Sequence, residues 1–158
     1  YEKDGSEVSN GVIEVWASTF VGVYVSRIAV ETCGLPIPEL FIWGDDYEFT
    51  TRISKKHICY MASKAYVVHK TLEDKPFIEY WYDKNPKMRV KLKYAMRNSV
   101  YFARREEKSY LGKIRIVVRK ILGAVYYGMI LRKRSPFLIY DAIRGAFFNP
   151  KIRFVTKL

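Results

Sequence analysis

Phe41-Ile42-Trp43-Gly44-Asp45-Asp46-Tyr47-Glu48-Phe49, with Arg52 a turn further on, is the stretch on which the reading of this chain depends. Three apolar residues run into Gly44, which frees the backbone for a sharp turn. The acids that follow sit where a helix N-terminus favours negative charge, so a helix is expected from about Asp46 to Lys56. Asp45 and Glu48, three residues apart, also fit a capping-box-like pair, in which the acids do no more than close the helix end.

Upstream, Val12 to Val25 is rich in β-branched and aromatic residues and reads as strand. Ser26 is placed to cap a short helix over Arg27 to Cys33, Gly34 to end it, and Pro36 and Pro38 to forbid its continuation. Downstream, Cys59 to His69 reads as one or two strands ending in Ala65-Tyr66-Val67-Val68-His69. Strand, helix, strand and Pro/Gly loops together predict an α/β half-domain over residues 1–80.

Beyond Pro76 the pattern becomes helical. Asn85-Pro86 is an N-cap and first-turn pair that opens a helix to about Glu107. Met88, Val90, Leu92, Tyr94 and Met96 alternate there at strand period, but the segment is too long and too basic for one strand. Leu111, Ile114, Val118, Ile121, Val125 and Met129 form a helical stripe within Ser109 to Lys133. Ser135-Pro136 starts a last helix reaching about Phe147. Residues 81–158 are therefore expected to be a basic α-helical subdomain.

The chain has 158 residues, 49% hydrophobic and 28% charged, which suits a folded domain and excludes a disordered or collagen-like one. Its net charge of +12 is unevenly spread. Residues 1–80 carry 8 basic and 12 acidic side chains, and residues 81–158 carry 20 and 4. Such a surplus calls for an acidic partner. Cys33 and Cys59 have no metal-type spacing and fit a reducing compartment. Tyr1-Glu2-Lys3-Asp4 shows no initiator Met and no signal-peptide pattern, and reads as the start of a fragment or a processed piece. The longest uncharged run near the carboxy terminus, Ile121 to Leu131, would cover as a helix only about 16 Å of a hydrocarbon core of about 30 Å.

Taken together, Trp43-Gly44-Asp45-Asp46-Tyr47-Glu48-Phe49, Phe20-Val21-Gly22-Val23, Gly34-Leu35-Pro36 and Val67-Val68-His69-Lys70 resemble the catalytic half of bacterial family-2 glycosyltransferases. The similarity is greatest to the rhamnosyl- and galactofuranosyl-transferase branch, and it runs from about Val12 to about Arg105. It implies a partial GT-A fold that lacks its donor-binding half. It also implies an inverting transfer of a sugar from a nucleotide-sugar donor to a glycan or lipid-linked acceptor, in cell-surface polysaccharide synthesis. The family's base maps to Asp46, which would take the proton of the acceptor hydroxyl as that oxygen attacks the anomeric carbon. Asp45 and Glu48 would bind sugar hydroxyls and Trp43 would offer a stacking face. His69 maps to a ligand of a divalent metal, Mn²⁺ or Mg²⁺, that neutralises the diphosphate leaving group. The family's Asp-x-Asp is absent from this sequence, as is any Gly-rich phosphate loop, so the chain by itself is expected to be inactive. Arg97-Asn98 is similar to an Arg-Asn segment common in these transferases and receives no role.

A different class of function is a noncatalytic module that binds a membrane surface or a polyanion, its acidic pair serving only as a helix cap. Arg119-Lys120 and Arg132-Lys133-Arg134 bracket the apolar run, as in a helix lying in a lipid headgroup region. An anionic membrane is thus the expected partner of the second half, with the protein peripheral on the cytoplasmic face. Nucleic acid ranks lowest, since no helix-turn-helix, zinc or RNP-type motif accompanies the charge. His57, in the Lys55-Lys56-His57 turn, reads as a surface residue.

Overall fold

The structure, a computed structural model, describes residues 2–9, 11–70, 86–130 and 135–155. Among these the chain is mixed α/β and mostly helical. Strands β1 (Glu2–Ser9) and β2 (Val12–Val15) are followed by α1 (Arg27–Cys33), a 3-10 turn (Pro38–Leu40), α2 (Asp45–Ser54) and β3 (Cys59–Ala62). Three longer helices come next: α3 (Pro86–Glu106), α4 (Tyr110–Ile130) and α5 (Ser135–Phe147). The chain forms two compact units. One comprises Tyr1–Glu39, Gly44–Leu72 and Lys151–Leu158, the other Leu40–Trp43 and Glu73–Pro150. Where the sequence suggests a single cut near residue 80, four residues ahead of Gly44 belong with the helices and the last segment belongs with the sheet.

In the first unit the strands form one antiparallel sheet with β2 in the centre. Val12 pairs with Ala62 and Val15 with Cys59 on one side, while β1 pairs irregularly on the other. β1 has almost no apolar residues, and the composition gives no sign of it. α1 follows its sequence signals closely. The Ser26 hydroxyl accepts from the Ala29 N–H, worth about 1 kcal/mol, and Gly34 ends the helix at φ 83°. The Phe49 and Ile53 side chains of α2 pack on Ala29 and Cys33 of α1, with Val25 and Cys59 around them. Both cysteines are free thiols. The carboxy-terminal segment returns to the end of α1, where the Leu35 N–H donates to the Arg153 carbonyl and Arg153 Nη2 lies 2.6 Å from Glu39 Oε1.

Both expected strands are shorter than predicted. Of Val12 to Val25 only the first four residues join a ladder. At Ser18 the Thr50 hydroxyl accepts from the backbone N–H at 3.1 Å and shares its one hydrogen between the Ser18 carbonyl, at 3.1 Å, and that of Asp46, at 2.7 Å. Gly22, at φ 71°, then turns the chain. Of Cys59 to His69 only Cys59–Ala62 is strand, because β2 offers four residues of pairing and no more. β-branched composition makes a strand only where another strand is present to pair with it.

In the second unit α3 and α5 approach closely at Gly145, where a Cβ would meet the Arg97 carbonyl oxygen and come within 2.7 Å of Val100 Cβ. Val100, Ala124, Leu138 and Ala142 make the buried centre, joined by Val117 and Ile121 from α4. The Arg97 guanidinium lies 3.9 Å from the Phe148 ring centroid and 4.8 Å from that of Tyr94, and is buried between them. Arg104 Nη2 donates to the Phe148 carbonyl at 2.7 Å, closing the end of α5. The three helix spans agree with the sequence expectation to within a few residues. Asn85 and the Arg132-Lys133-Arg134 bracket lie outside the described residues. The predicted α4 stripe is rotated: Ile121 points into the core, while Leu111, Ile114 and Val118 are exposed.

Candidate functional site

Gly44 is the N-cap of α2, at φ 103°, so the helix begins one residue after it and Asp45, Asp46 and Glu48 all fall in its first turn. Their charge complements the helix dipole, and Arg52 does the same in the last turn. Asp45 and Asp46 are partly exposed side by side. Asp46 Oδ1 accepts from the Tyr47 N–H at 2.7 Å, and the Asp46 carbonyl accepts from the Thr50 hydroxyl at 2.7 Å. Burial pushes the Asp45 carboxyl above the ordinary carboxylate range; the adjacent Asp46 charge adds to this, and nearby backbone N–H groups oppose it. The Tyr47 ring stands edge-on to Trp16 with centroids 5.7 Å apart, and Phe49 packs against Phe20 at 6.0 Å. The turn is thus held from below by aromatic contacts and by the Thr50 latch.

Glu48 is placed differently from its two neighbours. Its side chain has no solvent exposure, and both carboxylate oxygens accept from Arg52, at 2.9 Å from Nε to Oε1 and 2.9 Å from Nη2 to Oε2. The alternative reading, a capping-box-like pair of Asp45 and Glu48, does not describe this turn, because Gly44 takes the cap position and Glu48 is paired with Arg52. Nor is Glu48 available to bind sugar hydroxyls. Arg52 continues past Glu48 to the end of α1, donating to the carbonyls of Cys33, Gly34 and, at 3.0 Å, Leu35. The Cys33 carbonyl is one that the helix end leaves without an intrahelical partner, and those of Gly34 and Leu35 follow it in the turn. One buried ion pair therefore caps α1 and joins it to α2.

Trp43 belongs to the helical unit, as the last of Leu40–Trp43. Phe41 and Trp43 lie at φ 61° and 60°, in the left-handed region that disfavours such bulky residues. Asn98, 1% exposed on α3, holds them there. Its Nδ2 lies 3.0 Å from the Leu40 carbonyl, 3.1 Å from that of Ile42 and 3.0 Å from that of Trp43. Its Oδ1 accepts from Arg97 at 3.1 and 2.9 Å, which fixes the amide the right way round. Phe41 packs on Tyr94 at 4.8 Å. The Arg97-Asn98 pair, to which sequence reasoning gives no role, is the clamp on the loop that leads into Gly44. Two adjacent polar residues inside a predicted amphipathic helix were the only available signal.

His69 lies on exposed irregular chain past β3 and does not end a strand. A Cβ on Gly22 would lie 2.8 Å from Val67 Cγ2, so the Phe20-Val21-Gly22-Val23 and Val67-Val68-His69 segments meet within the first unit. Among the described residues no three His, Cys, Asp or Glu side chains gather as a metal would require. One exposed imidazole does not make a site for Mn²⁺ or Mg²⁺, which favour several oxygen ligands. Among the described residues His69 has no cluster of ligands beside it, and the resemblance places the remaining ligands in the donor-binding half. His57 is tied to α1 through its Nε2, 2.7 Å from the Thr32 hydroxyl.

No family model, curated protein or solved structure matches this chain.

Proposed function

We propose that this chain is the acceptor-side part of an inverting glycosyltransferase of GT-A type, with Asp46 as the general base. In this reading the Asp46 carboxylate takes the proton of an acceptor hydroxyl while that oxygen bonds to the anomeric carbon of a nucleotide-sugar. The bond from that carbon to the nucleoside diphosphate breaks, and the diphosphate leaves. Asp45 binds sugar hydroxyls, and Trp43, three residues before Asp46 in the chain, is the stacking face for a sugar ring. Glu48 serves instead in the support beneath.

The observation that carries the reading is the first turn of α2. Gly44 opens it, Glu48 is turned inward to Arg52, and Asp45 and Asp46 are left partly exposed as an adjacent pair. Tyr47 and Phe49 rest on Trp16 and Phe20, and the Thr50 hydroxyl bonds the Asp46 carbonyl, so the pair sits on a supported turn. The Asp45 carboxyl is raised mainly by burial, with the neighbouring Asp46 charge adding to it.

Determining the coding sequence upstream of Tyr1 tests the reading. Strand-helix repeats followed by an Asp-x-Asp sequence are expected there. An upstream sequence without them would remove the transferase reading and leave the acids as a helix cap. The 158-residue chain alone should transfer no sugar from any nucleotide-sugar, and robust transfer would contradict its assignment as the acceptor side.

A further inference from the structure

α4 is apolar on two sides. Its inner side, Val117, Ile121 and Ala124, packs in the core of the helical unit. Residues 111, 115, 118, 122 and 126, spaced by fours and a three, make a second stripe along the helix. Leu111 is 76% exposed, Val118 48%, Leu122 61% and Tyr126 59%, with the exposed Arg115 and Arg119 among them. A helix needs one apolar face to fold into a bundle, and the second one is left uncovered. We propose that this outward face of α4 is a docking surface for an anionic lipid bilayer.

The charges select that occupant. α4 carries four basic residues and no acidic one. Over residues 109–147 there are 8 basic side chains and a single acid, Asp141, which is 1% exposed. A second copy docked through the same face would set Arg115 and Arg119 against their own kind, with no carboxylate to receive them. Nucleic acid would engage the guanidinium groups and leave Leu111, Val118 and Leu122 in water. An anionic bilayer satisfies both sets: the aliphatic side chains enter the acyl boundary, the arginines hydrogen-bond lipid phosphates, and Tyr126 lies at the interface. No described helix is long and apolar enough to cross a membrane, so α4 lies along the surface. The face differs from the stripe suggested by sequence, since Ile121 is inside and Leu122 outside. The inference does not rest on the glycosyltransferase reading.

Flotation of the 158-residue chain with lipid vesicles tests it. With phosphatidylcholine vesicles containing phosphatidylserine the protein should float, and with phosphatidylcholine alone it should stay behind. Leu122→Ser should weaken partitioning about tenfold. Arg115→Gln and Arg119→Gln should each weaken it about fivefold. These side chains are exposed, so melting temperatures should stay near that of the parent. As a second measurement, an environment-sensitive fluorophore on Leu122→Cys should shift to the blue with the anionic vesicles. Equal flotation of the parent and Leu122→Ser, or no spectral shift at position 122, would overturn the proposal. So would a lipid-free dimer, seen by sedimentation velocity, that Leu122→Ser dissolves.

Discussion

Replacing Asn98 by Ala should release the loop that enters α2. The side chain places two amide hydrogens among three carbonyl oxygens, those of Leu40, Ile42 and Trp43, and accepts twice from Arg97. Two neutral hydrogen bonds are worth about 2 kcal/mol together, and the loss of the charge-assisted bonds from Arg97 to Oδ1 adds about 2 kcal/mol more. The expected destabilisation is about 4 kcal/mol, near the upper end for one substitution. Phe41 and Trp43, at positive φ, would relax once Asn98 no longer bonds the carbonyls of Leu40, Ile42 and Trp43. Asn98→Asp separates the two contributions. It keeps an acceptor for Arg97 but turns an oxygen toward three carbonyl oxygens, so the loop should loosen even though Arg97 stays paired. Urea unfolding gives the energy, and hydrogen exchange at the Ile42 N–H, which donates to the Leu40 carbonyl at 2.7 Å, reports on the loop. A loss below about 1 kcal/mol in Asn98→Ala, with Ile42 exchange unchanged, would refute the clamp.

Two further outcomes follow from the buried charges. Arg52→Met leaves the Glu48 carboxylate buried without its partner and frees the carbonyls at the end of α1, so thermal melts should show a loss of about 3–5 kcal/mol. Asp141 is buried, neither carboxylate oxygen is hydrogen-bonded among the described residues, and Arg144 Nη1 is 3.6 Å away. Burial holds its carboxyl above the ordinary range, against the opposing pull of Lys93, Arg144 and Arg97. The unfolded chain then loses this proton first as pH rises, so stability is full below the ordinary value of about 3.9 and falls until the raised native value is passed. Asp141→Asn should flatten that fall and raise the melting temperature at neutral pH; melts of both proteins across the acid range measure it.

The helices were largely legible because their ends carry their own chemistry. Ser26 and Gly34 bound α1, Gly44 starts α2 with acids behind it, and the Pro86 and Ser135-Pro136 starts mark α3 and α5. The strands were not, because a strand depends on a partner that composition does not reveal. β1 is nearly all polar yet pairs with β2, whereas Phe20 to Val25 and Tyr66 to Val68 look like strand and pair with nothing in the sheet. In the candidate site, Trp43, Asp45, Asp46 and the turn at Gly44 could be read from their order alone. The duties of Glu48 and Asn98 could not, since each is decided by residues 4 to 58 positions away. The direction of α4 was hidden for a related reason: a helix apolar on both sides has no periodicity that says which side faces inward.

The proposal that Asp46 is the base of a sugar transfer is tested most directly by comparing Asp46→Asn with Asp45→Asn in the full-length protein, with sugar transfer to acceptor as the readout and thermal melting as the control for folding. Asp46→Asn removes the proton acceptor and leaves the shape of the turn, so turnover should fall by about 10² to 10⁴-fold with the melting temperature nearly unchanged. Asp45→Asn should mainly weaken acceptor binding. Transfer by Asp46→Asn at close to the parent rate would contradict the account, and Asp46 would then be only part of a helix end.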